Sequence, residues 1–304
     1  MKFALFGAGR VGWVHARNIV EHPVANLQAV FDVKDDASRK VAEAFACDAV
    51  ESPDAIWDNS SIDAVLIASS TDTHVDLIRA AVAAGKAVYC EKPVDLDLAK
   101  TKALAAETRE SDVPVFIGFR RRFLPELQVL QARIDDGDIG QVEIVHMMAR
   151  DPAPPPQSYL KVSGGFIRDK AIHYIDLLCW LTGEAPVEVQ ATGACLVDPA
   201  IGEIGDVDTV IVTLKMPNGA ICQITNGRRS AHGVHEHIEI YGSTGTLEWR
   251  PMLDRQIAHA SESGISLNAM GQSATYFRQE TFAAALDAFI RDVGVGRQGR
   301  HVDD

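Results

Sequence analysis

The chain has 304 residues, 47% hydrophobic and 23% charged, which is ordinary globular usage and length enough for two domains with separate cores. Its 29 basic residues against 42 acidic ones give a formal net charge of −13, which argues against a nucleic-acid or anionic-membrane surface as the main partner. No apolar run reaches transmembrane length, and a first strand starting at Lys2 leaves no room for a removable leader, so a cytoplasmic location is expected.

Lys2 to Phe6 is a short apolar run that flows into Gly7-Ala8-Gly9-Arg10-Val11-Gly12. In a strand–turn–helix the three glycines act differently. Gly7 permits the tight turn, Gly9 lets the backbone approach a pyrophosphate, and Gly12 lets the helix pack on the sheet. Phosphates would sit on the free N–H groups and positive dipole end of that helix, where Arg10 and Val11 begin it. Val11, Val14 and Ile19 give the helix an apolar face, and Leu27 to Phe31 reads as a second strand ending at Asp32. A carboxylate there accepts from the ribose hydroxyls of NAD and repels a 2′-phosphate, so NAD is expected over NADP. Lys34 is the nearby cation that could reach a phosphate.

The alternation continues. Asp35 to Ala46 suits a helix, Ala64 to Ala68 a strand, Thr73 to Ala84 a helix closed by Gly85, Ala87 to Cys90 a strand, Leu96 to Glu110 a helix and Val113 to Gly118 a strand. Strands alternating with helices predict an α/β domain with a doubly wound parallel sheet over residues 1–119. From Gln141 the rhythm changes. Val142 to Met148, Val187 to Gly193, Thr209 to Met216, Ala220 to Asn226, Ile238 to Tyr241 and Thr246 to Trp249 read as strands separated by turns such as Pro217-Asn218-Gly219. With a helix from Phe166 to Leu181 inserted, residues 120–304 are expected to form an α+β domain on a mostly antiparallel sheet. That sheet has too few helices to cover both faces, which predicts a homo-oligomer. The run Pro152 to Pro156 reads as a stiff loop.

Cys47, Cys90, Cys179, Cys195 and Cys222 are too scattered for a zinc motif or a disulfide ladder, and read as reduced thiols. Two constellations carry chemistry. Glu91-Lys92-Pro93 follows the strand ending at Cys90, where a doubly wound sheet binds its ligand, so Lys92 is aimed at the cofactor crevice. Further on, Asp169 and His173 are spaced i,i+4 and His173 and Asp176 i,i+3, which puts all three on one helix face. Flanking carboxylates stabilise protonated imidazole, a useful property in a base that takes a hydroxyl proton while hydride leaves the same carbon. A metal is not expected, because a third strong ligand at tight spacing is missing.

Taken together, Gly7 to Gly12, Ala68 to His74, Glu91-Lys92-Pro93, Gly118 to Phe123, and Gly164-Gly165 followed by Asp169, His173 and Asp176 resemble the Gfo/Idh/MocA oxidoreductase family. Arg150-Asp151-Pro152 and Gly205 to Thr209 resemble its inositol 2-dehydrogenase branch. The resemblance covers almost the whole chain and implies a Rossmann domain, a C-terminal domain whose open sheet makes dimer or tetramer contacts, and NAD(P)-dependent oxidation of a secondary alcohol on a cyclic polyol or sugar. It further implies that Lys92 contacts the reacting hydroxyl and the nicotinamide ribose, that His173 is the general base, and that Asp169 holds substrate and sets the charge of the pair. Asp176 would bind a neighbouring hydroxyl, with Arg122 and Asp151 as further substrate contacts. Ser69, Thr71, His74 and Glu91 would line the cofactor.

The chain departs from that pattern in three places. Ala231-His232-Gly233-Val234-His235 stands where inositol dehydrogenases carry a Tyr-rich segment, Lys170 follows Asp169 where relatives carry an uncharged residue, and the sequence closes at Asp304, soon after a helix expected over Tyr276 to Ile290. Lys170, Arg150 and Arg122 could supply charge for a carboxylate, so a sugar or sugar-acid dehydrogenase is the second reading. A nucleotide-binding regulator or scaffold on the same fold is the third, and a branch using NAD transiently for glycoside cleavage a more distant one. Retention of Lys92, Asp169 and His173 favours an enzyme.

Overall fold

The structure is a computed structural model; it describes residues 1–251, 258–261, 264–267 and 273–294, with side chains described for 1–251 and 280–294. The chain divides into two compact units, Met1–Arg120 with Gln279–Asp304, and Arg121–Arg278.

The first unit is built on a six-stranded parallel sheet. Its strands are β1 (Lys2–Phe6), β2 (Asn26–Phe31), β3 (Asp48–Ala49), β4 (Ala64–Ile67), β5 (Ala87–Cys90) and β6 (Val115–Ile117), in the order β3-β2-β1-β4-β5-β6. β1 pairs in parallel with both β2 and β4, so the strand order reverses beside β1, and ligands of such sheets bind beyond the carboxyl ends of the strands at that point. β1, β4 and β5 are apolar along almost their whole length, with Phe3 to Phe6, Ala64 to Ile67 and Val88 to Cys90 at most 1% exposed, as strands covered on both faces must be. The sequence expectation omits β3, whose two exposed residues carry no apolar signal.

Expected and observed divisions differ at the last helix, Ser273–Gly294. The division at residue 119 assigns it to the second domain, whereas Phe289 packs with Phe3, Tyr89 and Phe116 of the first unit, at ring-centroid distances of 6.0, 5.8 and 5.8 Å. The reason is hydrophobic: Ala285, Leu286 and Phe289 are at most 1% exposed, and the stripe they form belongs to the parallel sheet's core.

In the second unit, β7 (Val142–Arg150), β8 (Glu188–Ala194), β9 (Thr209–Lys215), β10 (Ile221–Gly227), β11 (His235–Gly242) and β12 (Thr246–Trp249) form a sheet in the order β12-β11-β7-β10-β9-β8. Every pairing is antiparallel except β7 with β10, so the sheet is mixed and mostly antiparallel. Its inner face carries Val145, Met147, Val212, Leu214, Cys222, Ile224, Ile238 and Ile240, packed against Leu127 and Leu130 of helix Pro125–Asp135 and Leu177, Leu178 and Leu181 of helix Ile172–Thr182. On the other face Ile144, Ile221 and Tyr241 lie in one cross-strand row and are 41%, 55% and 38% exposed. A separate hairpin pairs β13 (Ala258–Ser261) with β14 (Gly264–Leu267). No helix among the described residues is long and apolar enough to cross a membrane.

Candidate active site

In the first unit the glycine loop is shaped by steric necessity. Gly7 has φ +96°, and a Cβ on it would lie 2.6 Å from backbone atoms of Ala68 and Ser69, while a Cβ on Gly12 would lie 1.9 Å from the Gly7 carbonyl oxygen. A Cβ on Gly9 would instead meet nothing within 4 Å, so the loop turns a smooth backbone surface outward at the start of helix Arg10–Glu21, whose N-terminus has no side-chain cap. Asp32 braces this loop from β2: Oδ2 accepts from the Ala8 N–H at 2.7 Å and Oδ1 from the Lys34 N–H at 2.9 Å. Its carboxylate keeps further lone pairs for ribose hydroxyls. Beside it opens a cleft of about 670 Å³ lined by Ala8, Trp13, Val33, Lys34, Asp35, Asp36, Ala37 and Lys40. A dinucleotide fits these features: uncapped helix N–H groups, a backbone without a side chain at Gly9, and a carboxylate at the end of β2.

The loops after β1, β4 and β5 are fastened to one another. His74 is 2% exposed and points Nδ1 at the Pro93 carbonyl oxygen (2.9 Å) and Nε2 at that of Ser69 (3.3 Å), joining the loop after β4 to the Glu91-Lys92-Pro93 loop. Ser69 Oγ lies 2.7 Å from Thr73 Oγ1, across the short helical turn that contains Thr71. Thus Ser69 and Thr71 lie in the loop beyond the carboxyl end of β4, while His74 is a buried buttress of that loop. Glu91 is likewise turned inward: its Oε1 lies 2.8 Å from Nε2 of fully buried His15 on helix Arg10–Glu21. Burial pushes the Glu91 carboxyl up, but the His15 hydrogen bond and the charges of His15, Arg120 and Lys92 outweigh it and hold the group below its ordinary value. Half-buried Lys92 follows, with a cis bond to Pro93. Cys90, beside this motif, is fully buried and its thiol is pushed well up by burial, which makes it a core residue.

In the second unit the expected helix begins differently. Ile167–Ala171 is a π-helical turn that runs into the α-helix Ile172–Thr182, a local widening that recurs at functional sites. Asp169 and Lys170 lie in the π turn and His173 just past it. Asp169 accepts from the Tyr159 hydroxyl at 2.6 Å on Oδ1 and from Arg228 Nη2 at 3.1 Å on Oδ2. His173 is half-buried. Asp176 is held by Arg122, whose Nε lies 3.1 Å from both carboxylate oxygens, and Lys170 Nζ lies 2.8 Å from Asp151 Oδ1. The expected substrate contacts Asp176, Arg122 and Asp151 are therefore all ion-paired with neighbouring side chains, and so is Lys170, which with Arg122 makes two of the three cations that could serve a carboxylate substrate.

Below these residues lies a buried ion pair that the sequence did not reveal. Arg121 grips Glu236 through Nη1–Oε2 (3.0 Å) and Nη2–Oε1 (2.6 Å), the Tyr174 hydroxyl donates to Glu236 at 2.8 Å, and the guanidinium lies 4.7 Å from the Tyr174 ring centroid. Burial works against the Glu236 carboxylate, yet Arg121 and Tyr174 bring it down to about 2. The Gly205 to Thr209 segment is also explained: Asp206 Oδ1 caps the Phe166 N–H at 2.9 Å, at the entry to the π turn. Asp208, 0% exposed, accepts from the N–H groups of Leu196, Val197 and Asp198, and its own carbonyl accepts from the Arg228 N–H. In the Ala231 to His235 segment, His232 and His235 stack edge-on at 5.1 Å. Burial lowers the His235 pKa, and the nearby charges add to the shift.

Among the described residues, one group has metal-ligand chemistry, His237, Glu239 and Glu248 on β11 and β12. Arg250 Nε donates into it at 2.9 Å from His237 Nε2, so a cation already serves that cluster.

A Rossmann sheet with a glycine-rich phosphate loop, joined to a mixed-sheet unit bearing an Asp–His–Asp helix, defines a nucleotide-dependent oxidoreductase. Comparison with known proteins makes this specific. Residues 1–119 match the model of the oxidoreductase family with an NAD-binding Rossmann fold, and residues 127–248 match the GFO/IDH/MocA C-terminal domain. The chain belongs to the Gfo/Idh/MocA family of oxidoreductases. It is 39% identical to an inositol 2-dehydrogenase of Rhizobium meliloti, over 98% of this chain and 90% of the relative, and 36% identical to a myo-inositol 2-dehydrogenase of Thermotoga maritima, over 97% and 89%. The crystal structure of scyllo-inositol dehydrogenase from Lactobacillus casei with bound NAD(H) and scyllo-inositol covers 99% of this chain and 91% of its own, at 27% identity and a TM-score of 0.87.

Proposed function

We propose that this protein is an NAD-dependent dehydrogenase that oxidises a secondary hydroxyl of a cyclic polyol, with inositol as the expected substrate. The observation that carries the reading is the joint presence of the Asp32-braced glycine loop, Lys92 after β5, and the Asp169–His173–Asp176 helix in a chain 39% and 36% identical to two inositol 2-dehydrogenases. When bound, NAD supplies the hydride acceptor. Asp32 selects it over NADP, because its carboxylate accepts from ribose hydroxyls and repels a phosphate. His173 takes the proton of the reacting hydroxyl, and Lys92 donates to the same oxygen. Asp169 fixes the charge and orientation around His173. Asp176 retains lone pairs beyond those that Arg122 uses, with which it can accept from a neighbouring hydroxyl.

The sugar-acid reading has less support, since Lys170 and Arg122 already have carboxylate partners in Asp151 and Asp176. The open face of the second unit's sheet, with Ile144, Ile221 and Tyr241 exposed in one row, supports assembly as a homodimer or homotetramer. Five free cysteines suit the reducing cytoplasm. A screen of NADH formation against inositol isomers, aldoses and uronates tests the reading. Turnover of an inositol well above the other two classes is expected, and a clear preference for uronates or no turnover of any polyol would overturn it.

A further inference from the structure

Arg228 has an unusual position for a guanidinium. It is 2% exposed and among the largest fully buried side chains of the molecule, its charge centre lies 4.9 Å from the Phe166 ring centroid, and its Nη2 reaches Asp169 Oδ2 at 3.1 Å. Burying a guanidinium is strongly unfavourable unless an anion and hydrogen bonds compensate. Asp169 supplies that anion, and the dependence is mutual, because Asp169's side chain is itself only 12% exposed.

The backbone is arranged to keep the pair in place. Arg228 donates its N–H to the carbonyl of Asp208, whose carboxylate is locked by three backbone N–H groups, and Phe166, whose ring lies under the guanidinium, has its backbone N–H held by Asp206, two residues before Asp208. From the other side Tyr159 places its hydroxyl 2.6 Å from Asp169 Oδ1. Both carboxylate oxygens are thus engaged, one by a buried cation and one by a phenol, in the π turn immediately before His173.

We propose that Arg228 is a positioning residue for the dehydrogenation: with Tyr159 it clamps Asp169 in one rotamer, so that Asp169 presents a fixed carboxylate at the start of the helix that carries His173. The proposal rests on the reading of the protein as a polyol dehydrogenase, but not on which polyol it uses. A carboxylate with one oxygen on an immobile guanidinium and the other on a phenol keeps its orientation, while His173 takes the hydroxyl proton under the proposed function. Misplacing a catalytic neighbour by about 1 Å costs on the order of 10²-fold in rate, so the clamp's contribution falls on turnover rather than on cofactor binding.

The experiment compares Arg228→Met, Arg228→Lys and Tyr159→Phe with the wild type, with myo-inositol and NAD as substrates and kcat expressed per NADH-binding site counted by fluorescence titration. Counting sites removes any loss due to protein that cannot bind the cofactor, and a thermal melt beside it reports the folding of the second unit. Arg228→Met should lower kcat per site by about 10²-fold with KM for NAD unchanged. Arg228→Lys, which keeps the charge without the planar fork, should recover about tenfold of that loss. Tyr159→Phe, a change at a partly exposed side chain, should lower kcat by roughly tenfold, in line with one hydrogen bond to a charged group. Equal kcat per site in Arg228→Met and the wild type, or equal losses in Met and Lys variants, would overturn the proposal. If Arg228→Met yields no NADH-binding protein, Tyr159→Phe decides alone: a lowered kcat supports the clamp and an unchanged one refutes it. A wild type that binds NADH but turns over no polyol would instead count against the proposed function itself.

Discussion

Asp32→Ser separates the two nicotinamide cofactors most sharply. In the protein the Asp32 carboxylate receives the Ala8 and Lys34 N–H groups at 2.7 and 2.9 Å, and the proposal adds two ribose hydroxyls as donors when NAD is bound. Hydrogen bonds to a charged group contribute roughly 1.5–3 kcal/mol each. Losing the two ribose bonds therefore removes about 3 kcal/mol or more of NAD affinity, on the order of 10²-fold in Kd. NADP should respond in the opposite direction. Two unit charges about 4 Å apart at an effective dielectric near 20 repel by about 4 kcal/mol, and the substitution removes that repulsion while Lys34 and Lys40 remain on the cleft wall. The NAD/NADP preference should accordingly fall by at least about 10²-fold. Stability should drop only by roughly 1–3 kcal/mol, mainly because the buried Ala8 N–H loses its acceptor. Fluorescence titration with NADH and NADPH, beside a thermal melt, measures both. A Kd for NADH within about threefold of wild type, at an unchanged preference, would refute the assignment of Asp32.

Three further outcomes follow from the second unit. Arg121→Met strands Glu236 as a buried carboxylate and should destabilise the protein by about 3–5 kcal/mol, read as a lower urea midpoint. Because Glu236 sits at about 2 in the folded protein against an ordinary 4.5, its contribution is fully present above about pH 4.5 and is lost as pH falls toward 2. Urea midpoints measured across that window should fall in the wild type, and more shallowly in Glu236→Gln. Ile221→Arg places a charge in the middle of the exposed row of the open sheet face and should convert a dimer or tetramer to monomers in sedimentation analysis; a wild type that is already monomeric at micromolar concentration would contradict the oligomer proposal.

The parallel sheet was legible, β3 apart, because its other five strands are short apolar runs between glycine turns and helices with a regular apolar stripe. Its glycine loop was legible for a stronger reason. Gly12 is fixed by its contact with Gly7 inside the loop, so the local sequence already contains that constraint, whereas the backbone that crowds Gly7 belongs to Ala68 and Ser69 after β4. The π turn left no comparable mark, since Ile167–Ala171 has the composition of any helix start, and the widening accompanies the burial of Lys170 against Asp151. Ion pairing was illegible because it is non-local. Arg121 and Glu236 are 115 residues apart, Arg228 and Asp169 are 59 apart, and no spacing rule connects such positions. From sequence alone Lys170 and Arg122 read as charges available to a substrate, whereas the structure gives each a carboxylate partner. Arg228 had one available signal, its place just beyond a strand whose register ends at Gly227, but a charged residue after a strand is ordinarily solvated.

The claim that chemistry centres on His173 is tested most directly by its removal. NADH formation from myo-inositol at neutral pH should be compared for the wild type, His173→Ala, Lys92→Ala and the double variant, with each rate expressed per NADH-binding site. General-base catalysis contributes about 10²–10⁴-fold, so His173→Ala should lose that factor while still binding NADH, and Lys92→Ala should lose a comparable one. The double variant should be little worse than either single variant, because groups that act as one unit are strongly non-additive. Turnover of His173→Ala close to wild type would contradict the account, and would leave the helix from the π turn to Thr182 as a structural element of a protein that binds its nucleotide for another purpose.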